Sequence, residues 1–288
     1  MSVVPAEVVL RRKSLPRFGP LAWCAIVVLS GWVAVALLAP FIAPFGEGEI
    51  VSMQSFAEVP EAGLLGTDYL GRDLISRLLY GARMTMGVAL ASALLACLIG
   101  ILLGFLAAVL GGWTDQLLSR LVDALLSFPS VVFALVLIGG LGTSLPVIVV
   151  TVALIQATGS YRIARALGND LIAMDFVDAA RARGESAWWI MSREILPNAS
   201  APLLADFGLR YTYAILIVSA LSFLGLGVQP PSADWGVMVK ENVQGLFLGS
   251  PAALVPAACI ASVTVSVNLI VDAFVERGRA GRVPEMLP

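Results

Sequence analysis

The sequence predicts an all-α membrane protein of six transmembrane helices with both termini in the cytoplasm. Three observations carry that prediction. The 288 residues are 59% hydrophobic and only 13% charged, with a mean hydropathy of +0.91, whereas a soluble domain holds roughly 25% charged residues. Charge-free runs near the roughly 20 helical residues that cross about 30 Å of hydrocarbon recur along the chain. The 18 Lys and Arg residues fall unevenly on the two sides that those runs define.

A basic tail, 1–20, holds Arg11, Arg12, Lys13 and Arg17 and precedes the first span, 21–43. Its charge-free stretch exceeds the roughly 7–15 apolar residues of a signal-peptide core, so the helix is expected to be retained. An external loop, 44–83, follows with Glu47, Glu49, Glu58, Glu61, Asp68 and Asp73. The second span is 84–110; on it Gly100, Gly104 and Ala108 form a small-residue stripe that permits close helix approach. Residues 124–161 carry no charge but are too long for one crossing. The turn formers Gly139-Gly140-Leu141-Gly142-Thr143-Ser144-Leu145-Pro146 divide them into a third and a fourth helix. Phe128-Pro129 is expected to kink or restart the third. The fifth span is 211–227, extended back over 202–210, and the sixth is 251–271. A five-helix core thus covers 84–275, including a cytoplasmic loop at 168–200, and a tail covers 276–288. Backbone groups in lipid need internal partners, which makes helices the spanning form.

Orientation follows from the cations. With the N-terminus inside, inside segments hold Arg11, Arg12, Lys13, Arg17, Arg120, Arg162, Arg165, Arg181, Arg183, Arg193, Arg210, Arg277, Arg279 and Arg282, and outside loops hold Arg72, Arg77, Arg83 and Lys240. That excess places both termini in the cytoplasm.

Composition also excludes chemistry. The chain has no histidine, which removes Ser-His-Asp and Cys-His nucleophiles, HExxH zinc sites and histidine relays. Cys24, Cys97 and Cys259 lie in apolar runs without CxxC spacing and read as small hydrophobes, so neither a disulfide framework nor a metal site is expected. Neither Lys13 nor Lys240 ends a GxxxxGK[ST] loop, so any ATP is bound by another chain. No cofactor is expected, nor any nucleic-acid partner. A stand-alone channel or secondary transporter needs charged or polar groups at membrane depth, each costing roughly 2.5–3.5 kcal/mol, and most charges here sit at predicted helix ends. Asp123 and Asp272 are of that kind. Asp206 and Arg210, four apart near the start of the fifth span, suit either a local ion pair or a position on a translocation path.

The polar island at 170–200 is the most informative segment. Asn169 or Asp170 can cap a helix running to Arg183, on which Ile172, Phe176, Ala179 and Ala180 form one apolar stripe. Asp178 lies off it, with Arg181 three residues on. Gly184 suits the left-handed position that ends a helix. A second helix, 185–195, places Trp188, Met191 and Ile195 on one side, and Leu196-Pro197 is expected to stop it. Periodicity leaves two readings open: a hairpin lying on lipid headgroups, or a dock for another protein, which the small Ala179-Ala180 pair suits better.

Asp178-Ala179-Ala180, Gly184 and Leu196-Pro197 at these spacings resemble the EAA loop of bacterial ABC importer permeases. Further motifs lie along the chain: Leu65-Gly66-Thr67-Asp68-Tyr69-Leu70-Gly71-Arg72-Asp73, Ser76-Arg77-Leu78-Leu79-Tyr80-Gly81-Ala82-Arg83, Ser127-Phe128-Pro129-Ser130, Ile195-Leu196-Pro197-Asn198 and Leu221-Ser222-Phe223-Leu224-Gly225-Leu226-Gly227-Val228-Gln229-Pro230-Pro231. In this order they are similar to the C-type permease subunit of dipeptide/oligopeptide importers, a family that also includes nickel and glutathione importers.

The resemblance implies a type I ABC importer permease fold in the bacterial cytoplasmic (inner) membrane. It implies a second homologous permease, two cytoplasmic ATPases that bind ATP and Mg, and an extracytoplasmic substrate-binding protein. The loop would dock an ATPase through Phe176, Asp178, Ala179, Ala180, Arg183 and Gly184, with Leu196 and Pro197 fixing the return to the membrane. Three residues depart from the family pattern: Asp178 stands where Glu is usual, Arg183 where Leu is usual and Glu194 where His is usual in the peptide group.

Overall fold

A computed structural model of the chain describes residues 19–57 and 64–280. The basic N-terminal residues, Arg282 and the loop acids Glu58 and Glu61 lie outside them. Among the described residues, five helical stretches are long and apolar enough to cross a membrane: α1 (Pro20–Ile42), α2 (Leu74–Leu110), α5 (Leu145–Ile172), the run 187–223 that ends in α8 (Leu196–Phe223), and α10 (Leu254–Ala280). A sixth span exists if α3 (Gly112–Leu126) and α4 (Ser130–Leu141) count as one, and these meet at 89°. The chain is an all-α, multi-spanning membrane protein.

The bend falls at Ser127-Phe128-Pro129, where proline restarts the helix. α3 is amphipathic and begins at Gly111-Gly112, both at positive φ, directly after α2. Asp115 on α3 pairs with Arg165 on α5 through both carboxylate oxygens, and Asp123 pairs with Arg162 at 2.8 Å, so two ion pairs tie α3 along the cytoplasmic part of α5.

α2 starts ten residues before the charge-free run that marked it, within the segment expected as external loop. Asp73 caps it by accepting from Ser76 N–H at 2.7 Å. At 37 residues and 1.5 Å per residue it is about 55 Å long, so its first turns stand outside the hydrocarbon, where Arg77 is tolerated. The small-residue stripe on α2 packs against α5 of the same chain. A Cβ at Gly100 would come within 2.7 Å of Ala157 O, one at Gly104 within 2.7 Å of Tyr161 O, and one at Gly168 within 2.7 Å of Ala108 Cβ. Backbone contact of that kind needs glycine. The main core between α2, α4, α5, α8 and α10 buries Ile138, Ile148, Val152, Ile215, Val218, Leu221 and Val263 completely. α1 lies at the periphery, held by Trp32, which donates to Ser262 Oγ at 2.9 Å and stacks edge-on to Trp235 at 4.9 Å.

The external end is closed by a buried network of charge. Asp68 accepts from Arg72 Nε at 2.6 Å and from the Leu70 and Arg72 N–H groups at 2.9 Å, and Arg77 Nη1 lies 3.2 Å from it. Glu241 on α9 (Trp235–Glu241) accepts from Arg72 Nη2 at 3.1 Å, Arg77 Nη2 at 3.2 Å and the Tyr69 hydroxyl at 3.2 Å. The Tyr69 N–H donates to Asn242 Oδ1 at 3.0 Å. Alongside, Asp234 caps α9 and accepts from Thr85 Oγ1 at 2.6 Å, and Trp235 Nε1 donates to Leu78 O at 3.0 Å. Burial pushes the Asp234 and Glu241 carboxyls above the usual carboxylate range, against the pull of their hydrogen bonds and, for Glu241, of Arg72. These contacts join the segment before and at the start of α2 to α9 and Asn242 after it in a single brace.

Candidate functional site

α5 passes the expected cap at Asn169 or Asp170 and runs to Ile172; the chain then breaks at Ala173-Met174 before α6 (Asp175–Ala182). The break resets the helical phase, and this corrects the stripe counted through from Ile172. Val177 and Ala180 are fully buried, Phe176 is half-buried and Ala179 is exposed. Adjacent helical residues point about 100° apart, so Ala179 and Ala180 cannot share one narrow face. Asp175 and Asp178 occupy the first turn and Arg181 the last, as the helix dipole favours. Asp178 and Arg181 approach to 3.7 Å on the exposed side.

Gly184 adopts φ +78°. Its N–H donates to Arg181 O at 2.9 Å and the Glu185 N–H to Ala180 O at 3.2 Å, closing α6 with a left-handed turn. No described residue stands within 4 Å of where a Cβ would lie. The need for glycine within this chain is therefore conformational, and the space above it is open.

Ser186 then caps α7 (Ala187–Trp189) by accepting from Trp189 N–H at 3.2 Å. A π-helical turn, Ile190–Ile195, carries the chain directly into α8. The expected stop at Leu196-Pro197 does not occur. In the widened turn the Leu196 N–H bonds Met191 O, five residues back. Pro197 falls in the first turn of α8, where its missing N–H and fixed φ are tolerated. Met191 and Ile195 are buried as expected for that face, but Trp188 is 65% exposed.

The loop therefore has two sides. Beneath, Val177, Ala180, Ile190, Met191 and Ile195 pack with Ala199 and Leu203 of α8, Phe105 of α2 and Ala164 of α5. Outside, Asp178, Ala179, Arg181, Gly184, Trp188, Leu196 and Pro197 are exposed. Between the sides, Arg183 lies 3.8 Å from Glu185, 3.6 Å from Glu194 and 5.6 Å from the Trp189 ring. Two of the unusual residues, Arg183 and Glu194, thus answer each other. Val177 and Ser186 escaped the sequence reading although both carry a signal, the i, i+3 spacing of Val177 with Ala180 and a hydroxyl just before a helix. The Arg183–Glu194 contact depends on the π turn, which no residue pattern announces.

The family model for the binding-protein-dependent transport system inner membrane component matches residues 100–279, which include the whole loop. The chain belongs to this family. Among curated members, it is 36% identical over 271 residues to a putative peptide transport system permease protein of Brucella suis, covering 94% of this chain and 88% of that one. It is 35% identical over 246 residues to a di/tripeptide transport system permease protein of Pseudomonas aeruginosa, covering 83% and 81%. It is 32% identical over 243 residues to a glutathione transport system permease protein of Pectobacterium atrosepticum, covering 83% and 80%. A member of the inner membrane component family with these spans is a multi-pass protein of the bacterial inner membrane and a transport component, not a catalyst.

Proposed function

We propose that this chain is the membrane-spanning permease subunit of an ATP-driven ABC importer for di- or oligopeptides. It forms half of the translocation pathway with a second, homologous permease. The loop at 168–200 receives one of two cytoplasmic ATPases, and an extracytoplasmic binding protein delivers the solute. The observation that carries this reading is the two-sided loop: an exposed outer face around Asp178, Ala179 and Gly184, and an underside bolted to α2, α5 and α8. The similarity to peptide permeases over most of the chain supports the choice of peptides as substrate.

Force on such a loop is not lost in bending. α7, the π turn and α8 form one continuous helical run, and the apolar cluster links its base to two further helices. Closure of the ATPases moves the outer face, the loop turns as a lever, and α2, α5 and α8 tilt with it between inward- and outward-open arrangements. Each arrangement must make contacts that the other lacks, and the ATPase supplies the difference. Phe176 and Arg183 act from within the loop, Phe176 by packing on its base and Arg183 by bracing α6 to the π turn. Leu196 and Pro197 set the return into α8.

A glutathione or other small-solute permease is the second reading, favoured by the similarity to glutathione permeases. Uptake by the reconstituted complex separates the two: di- and oligopeptides are expected to compete with the transported solute, and competition by glutathione or chelated nickel alone contradicts the peptide reading. Gly184→Trp is expected to abolish co-purification with the ATPases or to uncouple ATP hydrolysis from uptake. A reporter fused after Gly184 is expected on the cytoplasmic side.

A further inference from the structure

Arg210 stands near the middle of the 28-residue helix α8, about 13 residues and ~20 Å from the external end at Phe223. A hydrocarbon layer of about 30 Å measured inward from that end reaches back beyond it, to around residue 204. The side chain is at membrane depth, where an arginine facing lipid is costly. The charge is answered only in part. Nε donates to Asp206 Oδ1 at 2.9 Å, and the buried Asp206 is held in turn by Ser160 Oγ at 2.5 Å. Among the described residues neither Nη1 nor Nη2 donates a hydrogen bond, and the side chain remains 15% exposed.

The seat around this group is specific. Gly159, at the middle of α5, makes room for it: any Cβ there would run into Nη1. Tyr213, half exposed, holds its ring 5.7 Å from the guanidinium carbon. With Asp206 on the Nε side, Nη1 and Nη2 have no hydrogen-bond partner among the described residues, and paired guanidinium nitrogens grip a carboxylate through two parallel hydrogen bonds. One turn toward the cytoplasm on α5, Arg162 is also exposed, with Asp123 as its partner at 2.8 Å.

The geometry points to a carboxylate-binding position on the translocation path: Arg210, clamped by Asp206 and seated over Gly159, offers Nη1 and Nη2 to a carboxylate of the passing solute. This rests on the importer reading above. Lipid is excluded from the face by the cost of the charge. The guanidinium lies down in a glycine notch instead of projecting, so a small solute reaches it more readily than a facing helix does. Asp206 already offsets the positive charge, which keeps capture weak, and a transport site must release what it binds. Arg162 is the next cation on the way to the cytoplasm.

Charge-selective labelling tests this without knowledge of the solute. In the assembled complex carrying Cys24→Ser, Tyr213→Cys is exposed to two methanethiosulfonates of similar size, one bearing a sulfonate and one a trimethylammonium. Labelling from water is expected, and adding Arg210→Gln is expected to shift the anionic-to-cationic rate ratio by about tenfold toward the cation. No labelling, an unchanged ratio, or loss of the partner permease on Arg210→Gln overturns the proposal; the last result makes Arg210 a subunit contact. In a second arm, Arg210→Gln and Gly159→Leu are expected to cut uptake of tri-alanine about tenfold while sparing its C-terminal amide. Equal losses for both probes contradict carboxylate recognition. A wild-type complex that carries neither probe defeats the peptide reading alone, and the labelling ratio then decides the site.

Discussion

At the external end Asp68, Arg72, Arg77 and Glu241 face one another and are withdrawn from water, whereas at the cytoplasmic end Asp178, Arg181 and Arg183 stand exposed in loose pairs. Both ends carry motifs, yet the charges serve different purposes. The external network pairs its charges within the chain and ties α2 to α9, although Nε and Nη1 of the buried Arg77 have no hydrogen-bond partner among the described residues, so it holds the fold. The cytoplasmic loop satisfies only its underside and leaves a charged, glycine-containing face without a cover. Recognisable sequence at both ends therefore has two physical settings, one held by contacts within the chain and one left exposed among the described residues.

The sharpest way to break the comparison is to remove one member of the external network. Asp68→Asn leaves Arg72 and Arg77 short of a buried counter-charge, and the expected loss is about 3–5 kcal/mol of stability, seen as a lower thermal midpoint in detergent and poor assembly. A wild-type midpoint makes the network dispensable. Next comes the contrast inside the loop. Ala180→Leu overfills the packed underside and is expected to cost about 1–3 kcal/mol, whereas Ala179→Leu is expected to leave the midpoint unchanged and weaken retention of the ATPase on purification.

A smaller effect concerns pH. Asp234 and Glu241 hold their protons more tightly in the folded chain than in the unfolded one. Their contribution to stability therefore grows as pH falls through the folded values and is lost as pH rises. Glu241→Gln is expected to flatten that part of the rise as pH falls toward the ordinary carboxylate value in a thermal-midpoint series. An unchanged slope removes Glu241 from the account. The smallest effect is expected at Glu194→Ala, which removes a half-exposed partner of Arg183 worth at most about 1 kcal/mol. Uptake rate, not stability, is where that change is to be looked for.

Much of this is legible in the sequence. Hydropathy marks α1, α2, α5, α8 and α10 because lipid demands long charge-free helices, and Phe128-Pro129 marks the bend between α3 and α4 because proline cannot continue a helix. Gly184 announces its positive φ by its place after a short helix. Helix ends were less legible. A charge-free run leaves out the first ten residues of α2, which carry Arg77 and Arg83, and puts Arg210 near the start of the fifth span instead of near the middle of α8. The phase of α6 is not legible in the stripe from Ile172, because a stripe does not survive a break at Ala173-Met174. The π turn was invisible, and with it both the passage through Pro197 and the meeting of Arg183 with Glu194.

The central claim is that the exposed face of the loop, and not the loop as a whole, couples the permease to its ATPase. Ala179→Trp tests it most directly, since that side chain is exposed and its backbone is helical. Co-purification of the ATPases and uptake-linked ATP hydrolysis are measured on the assembled importer beside the thermal midpoint of the permease. The account predicts an unchanged midpoint with the ATPases lost or their hydrolysis uncoupled from uptake. Full retention of the ATPases with wild-type coupling would contradict it.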